Sequence, residues 1–375
     1  MDLRYKGKKS VQDILTRTKP ANIHAGNTPY KDGANLLIKG ENLGVMKLLL
    51  DEYQLGGKID LVYIDPPFAT NTVFRHNAVR TAHVSHSLTD GIAYSDTLIG
   101  AQYLEFLRER LIVIRELMSD EASIYLHIDY KIGHYVKIIM DEVFGAANFR
   151  NDITRIKCNP KNFSRKAYGN MKDLILYYTK TDRYIWNDPQ HQRSEGEIQR
   201  LFPKVDLNGR YYTTNPLHAP GETANGNTGK PWRGMLPPKG RHWRYDPKVL
   251  DELDAKGLIE WSSTGNPRKK VYADEMPYKK LQDIWEYKDP PRPIYPTEKN
   301  LELLKTIIAT SSHEQSLVFD CFSGSGGTLV AAEQLHRRWI GIDNSEVAID
   351  ITLKRINAKQ ASLFTADREF LYLAA

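Results

Sequence analysis

Residues 316 to 343 spell out a strand, a glycine-rich turn, a helix and a second strand ending in an acid, and that succession constrains the fold more than any other feature of the chain. Ser316-Leu317-Val318-Phe319-Asp320 is a short apolar run of the kind that forms a buried parallel strand. Cys321-Phe322-Ser323-Gly324-Ser325-Gly326-Gly327-Thr328 follows, then an apolar helix from Leu329 to Leu335. Glycines between strand and helix let the backbone approach a ligand closely, with helix N–H groups pointing at it. Arg338-Trp339-Ile340-Gly341-Ile342-Asp343 supplies the second strand, and Asp343 stands 19 positions after Gly324 (343 − 324). That is close to the ~20 residues at which an acid reaches a ribose hydroxyl in a nucleotide-binding βαβ unit. No Gly-Lys-Ser/Thr ending follows the glycines, which excludes a phosphate-cradling P-loop. The glycine run alone would also suit a surface loop; its flanking elements argue for a site.

A second site feature lies far upstream. Ile59-Asp60-Leu61-Val62-Tyr63-Ile64 reads as a buried strand and runs into Asp65-Pro66-Pro67-Phe68. The acid accepts a hydrogen bond. The Pro66 carbonyl accepts another on a backbone that the proline ring stiffens. The Phe68 ring offers a stacking face. Two acceptors and a flat surface suit an exocyclic amino group on a planar base, although Asp-Pro-Pro is also an ordinary exit from a strand.

Together these motifs resemble the DNA amino-methyltransferases that use S-adenosylmethionine. Asp65-Pro66-Pro67-Phe68 matches their catalytic motif, and Phe322-Ser323-Gly324-Ser325-Gly326 matches their cofactor loop. The catalytic motif comes first and the cofactor loop last, with a long insert between. That order resembles the beta class, which includes the modification subunits of type III restriction systems. Lys39-Gly40-Glu41-Asn42-Leu43 and Tyr295-Pro296-Thr297-Glu298-Lys299 add smaller matches. The resemblance covers about residues 35–180 and 280–360. It implies a doubly wound α/β methyltransferase sheet, circularly permuted, with its site at the carboxyl ends of the strands and an inserted target-recognition region. Asp320, Phe322, Ser323, Gly324, Ser325, Gly326 and Asp343 would bind the cofactor, and Glu41, Thr297 and Lys299 would join them. Three positions depart from the family pattern: Phe68 replaces a tyrosine, Gly327 a threonine and Asn300 a proline. Stacking needs only a ring, and Gly327 would loosen the loop.

The chain has 375 residues, 41% of them apolar, enough for a substantial core and two domains. The predicted segments are a basic arm over 1–34, a catalytic half over 35–180, a target-recognition region over 181–285 and a cofactor half over 286–375. Net charge is +6. Residues 151–290 hold 25 Lys and Arg against 18 Asp and Glu, a net of +7 (25 − 18), so the positive excess sits in the insert, as phosphate contact requires. Within it, cations and aromatics interleave around Arg233, Lys239, Arg241 and Arg244, which are the candidate DNA contacts. Trp232 and Trp243 read better as core anchors of a small, β-rich region of loops and short strands. The only cysteines, Cys158 and Cys321, have no metal-ligand spacing and point to a reducing cytoplasm without a zinc site. No apolar run reaches ~18 residues, so no membrane span is expected. A polar stretch from Ala69 to Asp96 carries His76, His83 and His86 and reads as a loop over nucleic acid rather than a metal site. Asp129 is expected to cap a helix over 130–143.

The implied reaction is methylation of adenine N6 in flipped-out duplex DNA. Asp65 and the Pro66 carbonyl would hold the two amino protons, localise the nitrogen lone pair and let it attack the methyl directly, in line, without a covalent enzyme intermediate. N4-cytosine methylation is the alternative within the same chemistry; aspartate at position 65 leans toward adenine. The alternative from another class is a DNA-binding subunit without catalysis. The resemblance also leaves open a homodimer and a restriction nuclease as partners.

Overall fold

The apolar runs converge on one nine-stranded sheet in a computed structural model that describes residues 3–23, 33–67, 72–76, 91–96, 100–160, 164, 166–295, 298–360 and 370–374. The chain divides into two units, Met1–Pro189 with Gln282–Ala375, and Gln190–Leu281.

The larger unit holds strands β1 (Asn35–Lys39), β2 (Ile59–Ile64), β3 (Met118–Ile128), β4 (Phe149–Ile156), β5 (Lys172–Thr179), β6 (Ile284–Trp285), β7 (Leu317–Asp320), β8 (Arg338–Asp343) and β9 (Phe370–Ala374). Their order is β6-β4-β5-β3-β2-β7-β8-β1-β9. Every pairing is parallel except those that β5 makes with β3 and β4. The helices are α1 (Val11–Arg17), α2 (Asn42–Asp51), α3 (Gly100–Leu117), α4 (Gly133–Phe144), α5 (Leu301–Ser311), α6 (Gly327–Gln334) and α7 (Glu346–Gln360).

Side chains alternate across the sheet with the period of two that a strand imposes. Leu36, Ile38, Val62, Ile64, Ile124, Leu126, Phe319 and Ile340 share one core with Val45, Leu49, Leu107, Leu111 and Met140 of α2, α3 and α4. The intervening Leu37, Leu61, Tyr63 and Val318 are as deeply buried, and α5 lies against β2 and β3. Burial on both faces explains why these strands read as continuous apolar runs.

β2 and β7 are neighbours, with Leu61 opposite Val318 and Val62 opposite Phe319. From β2 the chain crosses through α3 to β3 on one side; from β7 it crosses through α6 to β8 on the other. The strand order therefore reverses between β2 and β7, and open α/β sheets place ligands at the carboxyl ends of the strands at such a switch point. This is a doubly wound α/β sheet in which the β2 motif precedes the β7 turn in the chain.

Several local expectations change. The N-terminal arm joins the core: Ser10 caps α1, Ile14 is buried, and Tyr5 donates to Glu105 Oε2 at 2.5 Å. The stretch 69–96 contains two antiparallel strands, Thr72–His76 and Gly91–Asp96; His83 and His86 lie outside the described residues. Asp129 does not cap α4. Its Oδ1 accepts from Lys131 N at 2.8 Å in the turn before the helix, which begins four residues after Asp129, at Gly133.

The smaller unit is built on a four-stranded antiparallel sheet, Ile259–Trp261, Pro267–Tyr272, Tyr211–Pro216 and Lys204–Val205. Leu217, Trp232, Trp243, Leu250 and Ile259 form its core. Both tryptophans anchor it and satisfy their indole N–H groups, Trp232 on Asp251 Oδ1 at 2.8 Å and Trp243 on the Lys230 carbonyl at 3.1 Å. It also contains two helices, Glu195–Leu201 and Pro247–Ala255, that composition does not announce. The second starts from a strong local signal, with Asp246 as cap and Pro247 in the first turn.

Candidate active site

Asp65 follows β2 directly and is held by an ion pair, Lys299 Nζ to Oδ2 at 2.5 Å, with both side chains largely shielded from solvent. Its other oxygen, Oδ1, is buried and has no hydrogen-bond partner among the described residues. An acceptor buried bare costs about 1–3 kcal/mol, so a ligand N–H that met it would recover that loss. Pro66 is buried and Pro67 half-buried; Phe68 lies outside the described residues.

The glycine turn after β7 is tied down from three sides. Asp320 reaches into it from the strand end: Oδ1 accepts from Phe322 N at 3.0 Å and Oδ2 from Thr328 Oγ1 at 2.6 Å. Burial pushes the Asp320 carboxyl up to about 7 against those two bonds, and the negative charges of Asp65 and Asp343 add to the rise. Asp343, at the end of β8, accepts from Gly324 N through Oδ2 and from Ser345 N through Oδ1, each at 2.8 Å. Burial raises its carboxyl, and these amides oppose the rise. From α7, Thr352 Oγ1 donates to the Gly324 carbonyl at 3.1 Å, and Arg355 Nη1 donates to both the carbonyl and the hydroxyl of Ser325 at 3.0 Å. Gly326 sits at φ 75°, and a Cβ there would lie 2.6 Å from Thr352 Cγ2. Only glycine fits that position.

The turn suits a nucleoside-bearing cofactor. Ser323 Oγ is buried with no partner among the described residues. Each Asp343 oxygen retains acceptor capacity beyond its one amide bond, which suits ribose hydroxyls.

The smaller matches are placed differently. Glu41 caps α2, with Oε2 accepting from Gly44 N at 2.9 Å, and pairs through Oε1 with Arg110. Arg110 in turn bonds Asn42 Oδ1 at 2.6 Å, and Asn42 donates to the Cys321 carbonyl at 2.8 Å. Glu41 is thus linked to the β7 turn through Arg110 and Asn42. Thr297 lies outside the described residues. Asn300 caps α5, accepting from Glu302 N at 2.9 Å and donating to the Lys288 carbonyl at 2.9 Å. Gly327 is the first residue of α6, and a Cβ there would come within 3.1 Å of Leu304 Cδ1 on α5.

A buried polar chain behind the strand ends escapes sequence reading. Tyr63 OH lies 2.9 Å from His127 Nδ1, and His127 Nε2 lies 3.3 Å from Asp173 Oδ2. Asp173 also meets Lys157 at 2.7 Å and Arg155 at 3.4 Å; Arg155 reaches Asp289 at 2.5 Å. Burial lowers the His127 pKa, and the bond to Asp173 opposes that fall. Burial alone would raise Asp173, but His127 and Lys157 bring it well below the usual carboxylate range. The one sequence signal is a histidine inside an apolar strand; its partners come from strands and loops far away in the chain. Among the described residues no cluster of His, Cys, Asp or Glu could hold a metal ion.

In the smaller unit Lys239, Arg241 and Arg244 are exposed. Arg241 Nη1 lies 3.2 Å from His218 Nδ1, and Arg244 Nε donates to the Pro216 carbonyl at 3.0 Å. Burial, with Arg241, Arg244 and Arg268 nearby, lowers the His218 pKa, which marks a concentration of positive charge. Arg233 differs: its Nη2 is 2.5 Å from Asp254.

Comparison with known proteins gives the family. The chain is 39% identical over 371 residues to the type II methyltransferase M.EcaI of Enterobacter cloacae, covering 96% of this chain and 78% of that protein. It is 26% identical over 372 residues to the StyLTI Mod subunit, a type III restriction-modification enzyme of Salmonella typhimurium, covering 88% of this chain and 55% of that one. A solved structure of an M1.HpyAVI–SAM complex superimposes with a TM-score of 0.44 at 16% identity, covering 85% of this chain and 98% of that one. The family described as DNA methylase matches residues 59–354, from the first residue of β2 into α7. The chain belongs to the N6/N4 family of DNA methylases.

Proposed function

We propose that this protein methylates the N6 amino group of adenine in duplex DNA, with S-adenosylmethionine as donor and the flipped-out base held at the end of β2. The observation that carries this reading is Asp65, with one oxygen fixed by Lys299 and the other buried and bare, beside the glycine turn at the switch point of the sheet. S-adenosylmethionine, when bound, supplies a methyl group already activated on a sulfonium sulfur. Asp343, the buried Ser323 hydroxyl and the turn through Gly326 would hold it. The rest of the task is positioning: Asp65 Oδ1 and the Pro66 carbonyl accept the two amino protons and localise the nitrogen lone pair, while Phe68 stacks beneath the ring. The smaller unit, with Lys239, Arg241 and Arg244, is the target-recognition region of this reading. Aspartate at position 65 favours adenine over cytosine. The StyLTI Mod relative is a subunit of a type III restriction-modification enzyme, and for this chain the same setting predicts a cytoplasmic enzyme with a cognate nuclease and a second copy of the chain as partners.

The test is transfer of labelled methyl from S-adenosylmethionine to unmethylated DNA of mixed sequence, followed by nucleoside analysis. Label in N6-methyladenine is expected, with a loss on the order of 10²–10³-fold in Asp65→Ala. Label in N4-methylcytosine would overturn the choice of base and keep the chemistry. No label, with cofactor bound, would overturn the enzyme in favour of a DNA-binding subunit.

A further inference from the structure

Glu298 and Lys299 are consecutive residues that reach to opposite halves of the site. Glu298 Oε1 lies 3.0 Å from Arg355 Nη1, the same nitrogen that donates to the carbonyl and hydroxyl of Ser325 in the glycine turn. Lys299 Nζ lies 2.5 Å from Asp65 Oδ2. All four charged side chains are at most 19% exposed. The dipeptide itself is fixed at both ends: Glu298 Oε2 accepts from Ile294 N at 2.9 Å, Glu298 N donates to the Tyr295 carbonyl at 3.2 Å, and Asn300 then caps α5. One Cα step of ~3.8 Å thus separates the group fastening the glycine turn from the group fastening the carboxylate.

A carboxylate at the end of a strand can turn about its side-chain torsions, and either oxygen could face a ligand. An ammonium held on Oδ2 removes that freedom and leaves Oδ1, buried and bare, as the acceptor. An exposed ion pair would be worth little, but this one is shielded, and small misplacements of a reacting group carry large rate penalties.

We propose that Glu298-Lys299 is a coupling clamp. Lys299 is a positioning residue that keeps Asp65 turned with Oδ1 toward the target amino group, and Glu298, through Arg355 and Ser325, makes that hold depend on a correctly formed glycine turn. The clamp rests on the functional reading above and moves Lys299 from the lining of the cofactor pocket to the orientation of the catalytic carboxylate. It explains how two motifs far apart in the chain are kept in register at one site. A chain that has not formed its cofactor turn has a misaligned base acceptor.

The test uses the full chain and four readouts: kcat for methyl transfer, KM for DNA, cofactor Kd by calorimetry and Tm. Lys299→Met is expected to lower kcat by about 30-fold or more while cofactor Kd stays within about threefold, and Lys299→Arg, which keeps the cation, recovers part of the loss. Glu298→Gln is expected to lower kcat about tenfold, and the double variant to fall no further than Lys299→Met alone, the non-additivity expected of residues acting as a unit. Weakened cofactor binding with kcat retained in Lys299→Met would overturn the clamp and make the lysine a cofactor contact. Additive losses in the double variant would overturn the coupling. If Lys299→Met loses its folding transition, the cycle is run with Lys299→Arg and Glu298→Gln and read by the same criterion. A wild-type chain that transfers no methyl overturns the functional reading and the clamp together. A wild-type chain that transfers methyl, with kcat unchanged in Lys299→Met, overturns the clamp alone.

Discussion

Asp320 ties the chemistry of the cofactor turn to the stability of the fold. Its carboxyl is almost fully buried and titrates near 7 in the folded protein, whereas an unfolded chain releases that proton near pH 4. The folded state therefore holds the proton more tightly than the unfolded state. The resulting contribution to stability is full below about pH 4 and is lost as pH rises to about 7, with an upper bound of ~4 kcal/mol. Asp320→Asn carries no charge at any pH, so the Tm of the wild type relative to this variant should fall between pH 4.5 and 7.5. Parallel curves would show that Asp320 does not titrate there. The residue type was legible as a strand-end acid; its proton was not, because burial and the nearness of Asp65 and Asp343 arise only when β2, β7 and β8 are assembled.

At the scale of the element, the glycine turn is defined by what α7 lays across it. Gly326 precedes α6 in a left-handed conformation, and Thr352 occupies the space a side chain would need. Gly326→Ala should cost ~1–3 kcal/mol in stability and weaken cofactor binding, read by Tm and by calorimetric titration with S-adenosylmethionine. A variant with unchanged affinity would separate the shape of the turn from its binding role. Element types were readable where the pattern was long: the run from Leu329 to Leu335 falls largely within α6. Boundaries were weaker. α4 starts later than its apolar pattern suggests because Asp129 turns the chain first, accepting from Lys131 N. The helix Pro247–Ala255 sets Leu250 and Leu253 against the small core, an amphipathic pattern that nine residues are too few to repeat.

For the whole molecule, charge is the property that the sequence and the structure locate together. The positive excess of residues 151–290 includes Arg241 and Arg244, exposed in a small unit whose Trp232 and Trp243 are consumed by its own core. Neutralising either arginine to alanine should weaken DNA binding across sequences and lower the slope of log K against log salt by about 1. Arg233→Ala should change the slope less, because Arg233 is paired with Asp254. Equal slopes for all three variants would remove the distinction. Binding isotherms between about 50 and 200 mM salt make the comparison.

The chemistry of the two motifs, the βαβ character of the β7–α6–β8 unit and the basic insert were determined by local sequence, because short-range pattern, spacing and composition carry them. Only the tertiary structure decided that Asp65 and Asp320 lie at the ends of adjacent strands, that Lys299 holds one oxygen of Asp65 and leaves the other bare, and that His127 lies buried between Tyr63 and Asp173. The reason is sequence separation: these contacts join segments from distant parts of the chain, and assembly of the mixed sheet and its loops brings them together without any local signal that names the partner.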